Sequence, residues 1–257
     1  MNEPTPGTEA AARVADVLLL FTDGPSTLGV SGIARELDLS KAVVHRILQS
    51  LATRGMVVLD RESRQYRLGP AATALGARAF RDSDLRSSAL DLLHALRDET
   101  GETATLSALV PAGRIYLDQV EGTHEIKMTV ELGRRFPLHA GSSGKSMLAH
   151  LPAETRRRIL DGSLAALTAD TVTDPEALDA ALAEIRAVGF ARSGGERQAD
   201  AGSVAAPVFG MTGEVIGSIS VCGPRYRITE EFVEKVAPRV VDTAERISRR
   251  MGYRGEP

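Results

Sequence analysis

Two stretches of this sequence carry side chains whose types and spacing could do chemistry. The first runs from Ser40 to Arg67. Lys41, His45, Arg46 and Gln49 recur at intervals that place them along one side of a helix, and Arg61, Arg64 and Arg67 follow in a polar turn and the run behind it. Donors of this length can reach phosphates or base edges when a helix enters a major groove. Ser40 stands where an N-cap would, and the N–H groups beside it can bond a phosphate. The three arginines would lie along the flanking backbone or minor groove. The alternative is a solvated charged helix face next to a polar turn, a common surface arrangement. The distribution of charge favours the polyanion. Residues 40–67 hold six basic and two acidic side chains, against 22 basic and 26 acidic in residues 81–257, in a chain of net charge −3.

The second stretch is His139-Ala140-Gly141-Ser142-Ser143-Gly144-Lys145-Ser146, and three readings of it are open. It approaches a phosphate-binding P-loop, but His139 stands where the first glycine is required and no strand ending in a suitable Asp is evident. Ser142 and Lys145 have the spacing of a serine nucleophile and lysine base, without the partner motifs of penicillin-binding enzymes. Lastly, a Ser/Gly-rich turn opening a helix offers several main-chain N–H groups to a carboxylate, with no catalysis. Downstream, Ser218, Ser220 and Cys222 alternate and so share one sheet face, preceded by Gly195-Glu196-Arg197 and Ser203. Small polar side chains there would line a concavity; otherwise Cys222 is a small buried hydrophobe. The five histidines, 45, 94, 124, 139 and 150, show no i, i+4 pairing, and a metal held by His139 or His124 with Cys222 is the weakest of these readings. We expect neither a metal nor a cofactor.

These residues need elements to position them. The 257 residues are enough for two domains, and a single cysteine excludes an intrachain disulfide and a multi-thiolate metal site. No apolar run approaches the roughly 20 residues of a membrane span, and Met1–Thr8 lacks a basic n-region, so the expectation is a soluble cytoplasmic protein with no membrane partner. Val14, Val17, Leu18 and Phe21 predict a first helix from Glu9; Ile33, Ala34 and Leu37 a second; Val44, Ile47, Leu48 and Leu51 a third behind Ser40, closed by Gly55. Met56–Leu59 and Gln65–Leu68 predict a hairpin. Three helices and a hairpin make a winged helix-turn-helix over 9–69, after a disordered tail at 1–8. An alanine-rich linker helix at 70–82 leads to a domain at 83–252. There we predict a helix with the stripe Leu85, Ala89, Leu92, Leu93 and Leu96, then strands at Thr103–Val110, Arg114–Val120 and Glu125–Leu132. The run His139–Lys145 leads into a helix through Leu148, helices follow from Pro152 to Leu160 and Pro175 to Val188, then strands at Ser203–Phe209 and Glu214–Cys222, and a last helix over about Thr229–Arg250, bent at Pro238. The fold class is α+β.

In this order the pieces resemble the IclR family of bacterial transcriptional regulators over about residues 9–250. They are Leu39-Ser40-Lys41-Ala42-Val43-Val44-His45-Arg46-Ile47-Leu48, Tyr66-Arg67-Leu68-Gly69, Pro137-Leu138-His139-Ala140, Gly144-Lys145, Gly195-Glu196-Arg197, Ala206-Pro207-Val208 and Ser220-Val221-Cys222-Gly223-Pro224. The resemblance implies a winged-helix DNA-binding domain, a linker helix and a GAF-like effector-binding domain. It also implies a homodimer or dimer of dimers on palindromic operator DNA, acting as a repressor or activator. The small-molecule effector is often a carboxylate or aromatic acid in such proteins. Val43 joins the DNA-facing set, and effector contacts map to Ser142, Ser143, Ser193, Ser203, Ser220 and Cys222. Ser193 stands where one relative's pocket is acidic, which speaks against a glyoxylate- or pyruvate-like ligand. Ala42 and Val43 replace frequent hydroxyl residues, so no operator sequence carries over. The rivals are a small-molecule hydrolase using Ser142 and Lys145, and a sensor module whose first domain contacts protein.

Overall fold

The computed structural model describes residues 8–23, 25–111 and 113–255. The tail expected at 1–8 lies outside the described residues except for Thr8, as do Gly24 and Ala112, each the middle of an expected turn. The chain divides into two units, Met1–Asp82 and Ser83–Pro257.

In the first unit α1 (Glu9–Asp23), α2 (Val30–Glu36) and α3 (Lys41–Thr53) precede β1 (Val57–Leu59), β2 (Tyr66–Leu68) and α4 (Pro70–Arg81). The predicted helical stripes meet in one core of Val17, Phe21, Ile33, Val44, Leu48 and Leu51, closed by Val57 and Tyr66. β1 and β2 pair antiparallel, Val57 opposite Leu68, and Leu28 adds an isolated bridge to Tyr66. Gly69 lies so close to the turn after α3 that a Cβ would sit 2.2 Å from the Gly55 carbonyl oxygen. That approach sets where α4 departs. α4 buries no residue of its own, as expected of a connector.

The second unit is a six-stranded antiparallel sheet with helices on both faces. Its elements are α5 (Asp84–Thr100), β3 (Thr103–Val110), β4 (Gly113–Val120), β5 (Arg135–Phe136), α6 (Ser142–Ala149), α7 (Ala153–Leu160), α8 (Pro175–Val188), β6 (Ala191–Gly194), β7 (Ala201–Phe209), β8 (Val215–Pro224) and α9 (Glu230–Arg250). The strand order is β5-β4-β3-β8-β7-β6. The α5 stripe, Leu106, Ile219, Val221 and the apolar side of α9 form one core. Met147, Leu148, Leu178, Leu182 and Ile185 form another around α6 and α8. α9 continues through Pro238. Among the described residues, no helix is long and apolar enough to cross a membrane.

One expected strand is absent. Glu125–Leu132 alternates apolar and polar residues, yet forms no strand apart from an isolated bridge of Leu132 to Tyr116, and the edge is taken by the short β5. Side chains replace the ladder. Gln119 donates through Nε2 to the Val130 carbonyl at 3.1 Å and accepts the Val130 N–H at 2.8 Å. Thr103 Oγ1 donates to the Met128 carbonyl at 2.6 Å, and Arg227 Nη2 to that of Ile126 at 2.7 Å. Main-chain groups satisfied in this way need no partner strand. Two short edge strands, β5 and β6, are additional to the predicted set. A Gln119→Ala variant therefore should raise hydrogen exchange selectively over residues 121–132 while the exchange of β3 and β8 stays unchanged. Equal protection of 121–132 in both proteins would show that the amide is not the clamp.

Candidate functional site

In the first unit the N-cap of α3 forms as predicted, Ser40 Oγ accepting the Val43 N–H at 3.3 Å. Val44, Leu48 and Leu51 are buried, so the helix turns Lys41, His45, Arg46 and Gln49 outward, and all four are exposed. Val43 is half-buried on the flank. In the hairpin turn, Asp60 Oδ1 accepts N–H groups from Glu62 (2.9 Å) and Ser63 (3.2 Å). The Ser63 and Glu62 N–H groups hold the Asp60 carboxyl below its ordinary range, and Arg67 adds to this. Arg64 crosses the turn with φ +55°, and Arg61, Arg64 and Arg67 are exposed. Among the described residues, none of these cations is neutralised by an ion pair. The result is an outward basic surface on a capped helix and its adjacent wing.

In the second unit α6 begins at a turn only glycine adopts readily, Gly141 at φ +84°. Gly144 lies against the bend that precedes α6, where a Cβ would meet the Leu138 carbonyl oxygen at 2.6 Å. The first main-chain bond of the helix runs from Lys145 N–H to the Gly141 carbonyl at 3.0 Å, leaving the N–H groups of its first turn at the open end. Lys145 Nζ forms an ion pair with Glu196 Oε1, with both side chains more than nine-tenths buried. Glu196 Oε2 accepts the Gly141 N–H at 3.1 Å. Thr171 Oγ1 donates to the Glu196 carbonyl at 2.7 Å and Thr168 Oγ1 to that of Gly195 at 2.8 Å.

A small cavity of about 20 Å³ lies at the open end of α6. Of the residues singled out from sequence, Ser142, Ser143, Ser193, Ser203 and Cys222 line it. Ser142 Oγ donates to Ser203 Oγ at 2.7 Å. Ser220 does not line it; its hydroxyl bonds Thr105 Oγ1 at 2.6 Å in the neighbouring strand. The sequence reading missed Arg114, Tyr116, Met128 and Arg197, which also line the cavity. Arg114 is 1% exposed, and Arg197 lies in the Gly195-Glu196-Arg197 run already noted. An arginine at the start of a strand facing its hydroxyl-rich neighbour was the available signal for Arg114. Burial pushes the Cys222 thiol up to about 12, so it stays protonated and inert. Elsewhere, a cleft of about 450 Å³ between α8, β6 and α9 is lined by Glu184, Glu230 and Glu234 against Arg192 and Lys145, and its excess of acid does not suit an organic acid.

The metal reading finds no support in the geometry. His139 Nε2 lies 2.9 Å from the Ala165 carbonyl oxygen, and His124 lies by Glu102. Among the described residues no group of three or more His, Cys, Asp or Glu could hold an ion.

The IclR helix-turn-helix domain model matches residues 10–61, and the model for the bacterial transcriptional regulator IclR C-terminal domain matches residues 77–249. The chain belongs to the IclR family of bacterial transcriptional regulators. It is 35% identical to the transcriptional regulator BhcR of Paracoccus denitrificans over 96% of this chain and 88% of that protein. To KdgR of Escherichia coli it is 32% identical over 90% and 88% of the two chains. The crystal structure of an IclR regulator from Alicyclobacillus acidocaldarius shares 30% identity with a TM-score of 0.83, covering 96% of this chain and all of that one. An IclR homologue from Microbacterium hydrocarbonoxydans, complexed with 4-hydroxybenzoate, shares 27% identity with a TM-score of 0.73, covering 95% and 99%.

As an IclR regulator the chain pairs a DNA-binding helix-turn-helix domain with a C-terminal ligand-binding domain, and it is not an enzyme. The hydrolase reading also fails on geometry, because Lys145 Nζ is engaged by Glu196 and Ser142 Oγ donates to Ser203, so no hydrogen bond between Ser142 and Lys145 is seen among the described residues. Breaking that pair strands a buried charge. Lys145→Met should cost about 3–5 kcal/mol in urea denaturation. Lys145→Met/Glu196→Gln should recover much of it, since Gln removes the charge and keeps an acceptor for the Gly141 N–H. A double variant no more stable than the single one would show that the charge is not what matters.

Proposed function

We propose that this IclR regulator binds pseudo-palindromic operator DNA as a dimer or a dimer of dimers, in the cytoplasm, and that a small organic acid in the C-terminal cavity alters that binding. The observation that carries the first half is the outward row of Lys41, His45, Arg46 and Gln49 on a helix whose other side is core, with exposed arginines in the wing. A recognition helix inserted in a major groove reads only a few base pairs, so two copies related by a two-fold axis are needed for a selective site. In this reading His45, Arg46 and Gln49 select bases, with Val43 available to a thymine methyl. Ser40, Lys41, Arg61, Arg64 and Arg67 bond phosphates and make the affinity depend on salt.

The second half is supported by the cavity's chemistry. The open end of α6 favours an anion, and Ser142, Ser143, Ser193, Ser203 and Cys222 give it a small polar wall. The homologue complexed with 4-hydroxybenzoate is consistent with an aromatic or aliphatic acid. The free space holds about one water molecule. An acid therefore enters only if the surrounding segments yield, and the half-buried Met128 lies on the segment without strand pairing. A tenfold change in operator affinity needs about 1.4 kcal/mol of difference in acid binding between the DNA-competent and incompetent states. Helices α4 and α5 are the covalent route between the two domains.

The test is a salt titration of binding to the DNA flanking the protein's own gene, read by fluorescence anisotropy. Arg64→Ala should weaken binding to all sequences alike and reduce the slope of log K against log salt by about 1. Arg46→Ala should cost about 1–3 kcal/mol on the operator and less on unrelated DNA. Unchanged binding in both variants would overturn the assignment of this face.

A further inference from the structure

We infer that the ligand of the C-terminal cavity is a compact dicarboxylate, with one carboxylate at the open end of α6 and the other against Arg114 and Arg197. The inference rests on the reading of this cavity as an organic-acid site and narrows the acid by charge. Arg114 is 1% exposed and lines the cavity. Its Nη1 donates to Ser107 Oγ and its Nη2 to the Tyr116 hydroxyl, each at 3.2 Å, while Nε has no partner. Both partners are neutral. Arg197, half-buried on the same wall, forms no ion pair either among the described residues.

Both guanidinium groups stack over the same two rings. Arg114 Cζ lies 4.4 Å from the Tyr116 centroid and 5.3 Å from that of Phe136; Arg197 Cζ lies 5.6 Å and 5.0 Å from them. Ring faces offset part of the charge of a cation but do not neutralise two of them. Burial pulls the Arg114 pKa below its ordinary value, and the charge of Arg197 adds to this. The carboxylates that could serve are engaged: Glu196 with Lys145, Glu102 with Arg227, Asp118 with Arg86. A buried charge in a folded protein is ordinarily paired. Here both arginines and the first turn of α6 line one cavity, together with the hydroxyls of Ser142, Ser143, Ser193 and Ser203, the Cys222 thiol, Met128 and Gln198. A monocarboxylate can satisfy one of those centres, whereas a short diacid can meet both, the second through bidentate bonds to guanidinium.

The experiment is calorimetry on the full-length protein with malonate, succinate and glutarate, each beside its monoamide, which keeps the length and loses one charge. For at least one length the diacid should bind at least tenfold more tightly than its amide. Arg197→Gln, a change at a half-buried position, should bring that ratio below threefold. Diacids and amides that bind within threefold of each other at every length, or no binding by any of the six at millimolar concentration, would overturn the dicarboxylate. The wild-type comparison needs no variant, so it stands if a variant misfolds. The underlying site reading is tested apart from this with Ser142→Asp, which places a carboxylate at the open end of α6. If no diacid outbinds its amide, yet 4-hydroxybenzoate or an amide binds the wild type and is lost in that variant, the organic-acid site holds and only the second charge is wrong. Acid binding undiminished by Ser142→Asp would remove both.

Discussion

The ligand-binding domain depends on one buried ion pair, Lys145 with Glu196. Removing two charges from water costs several kcal/mol for each ion, so such a pair persists only when the remaining hydrogen-bonding capacity is met. Here it is met. The second carboxylate oxygen takes the Gly141 N–H, and the Gly195 and Glu196 carbonyls take the hydroxyls of Thr168 and Thr171. What the pair contributes is direction more than net stability. It joins the first turn of α6 to the loop that carries Arg197, so the open end of the helix and one of its facing cations are positioned by the same bond. Gly141 and Gly144 make the approach possible, the first by its left-handed φ and the second by leaving room for the Leu138 carbonyl.

Local patterns made the first domain legible from sequence. The apolar spacing of α1 and α3, Ser40 as a cap and the alternation of the hairpin are decided within a few residues, and the core joins the faces those patterns imply. In the second domain the same holds for α5, for α8 with Asp174 as its cap, for α9 capped by Thr229, and for β3, β7 and β8. Ser218, Ser220 and Cys222 alternate along β8 as their spacing implies, but of the three only Cys222 reaches the cavity.

What escaped was decided by distant partners. In the β3–β4 ladder Leu106 lies opposite Asp118 but Ser107 opposite Tyr116, so Leu117 is the extra residue of a bulge. The bulge switches faces. Asp118 pairs with Arg86 of α5, whereas Tyr116 and Arg114 line the cavity beyond. Alternation counted along β4 alone cannot show this. The segment at 125–132 has a strand pattern, but Gln119, Thr103 and Arg227 supply its bonds from outside, and no local rule announces them. Arg114 was hidden for a similar reason, since an arginine near a turn reads as a solvent-facing charge until the sheet closes over it.

The hydroxyl-rich wall explains how a tight cavity can still respond to a ligand. Ser142 and Ser203 satisfy each other across the elements, so the wall is stable without filling the space as Leu or Ile would. With room for about one water, the cavity leaves little to be gained by hydrophobic burial, and discrimination falls to charge and hydrogen bonding. Charged hydrogen bonds in a dry site contribute about 1.5–3 kcal/mol each. A single such contact made in one state and lost in the other exceeds the roughly 1.4 kcal/mol that a tenfold change in DNA affinity requires. In the proposed reading the regulatory energy comes from how far the walls around Arg114, Arg197 and α6 part to admit the acid. What the remainder of the chain must supply is a way for α4 and α5 to feel that parting.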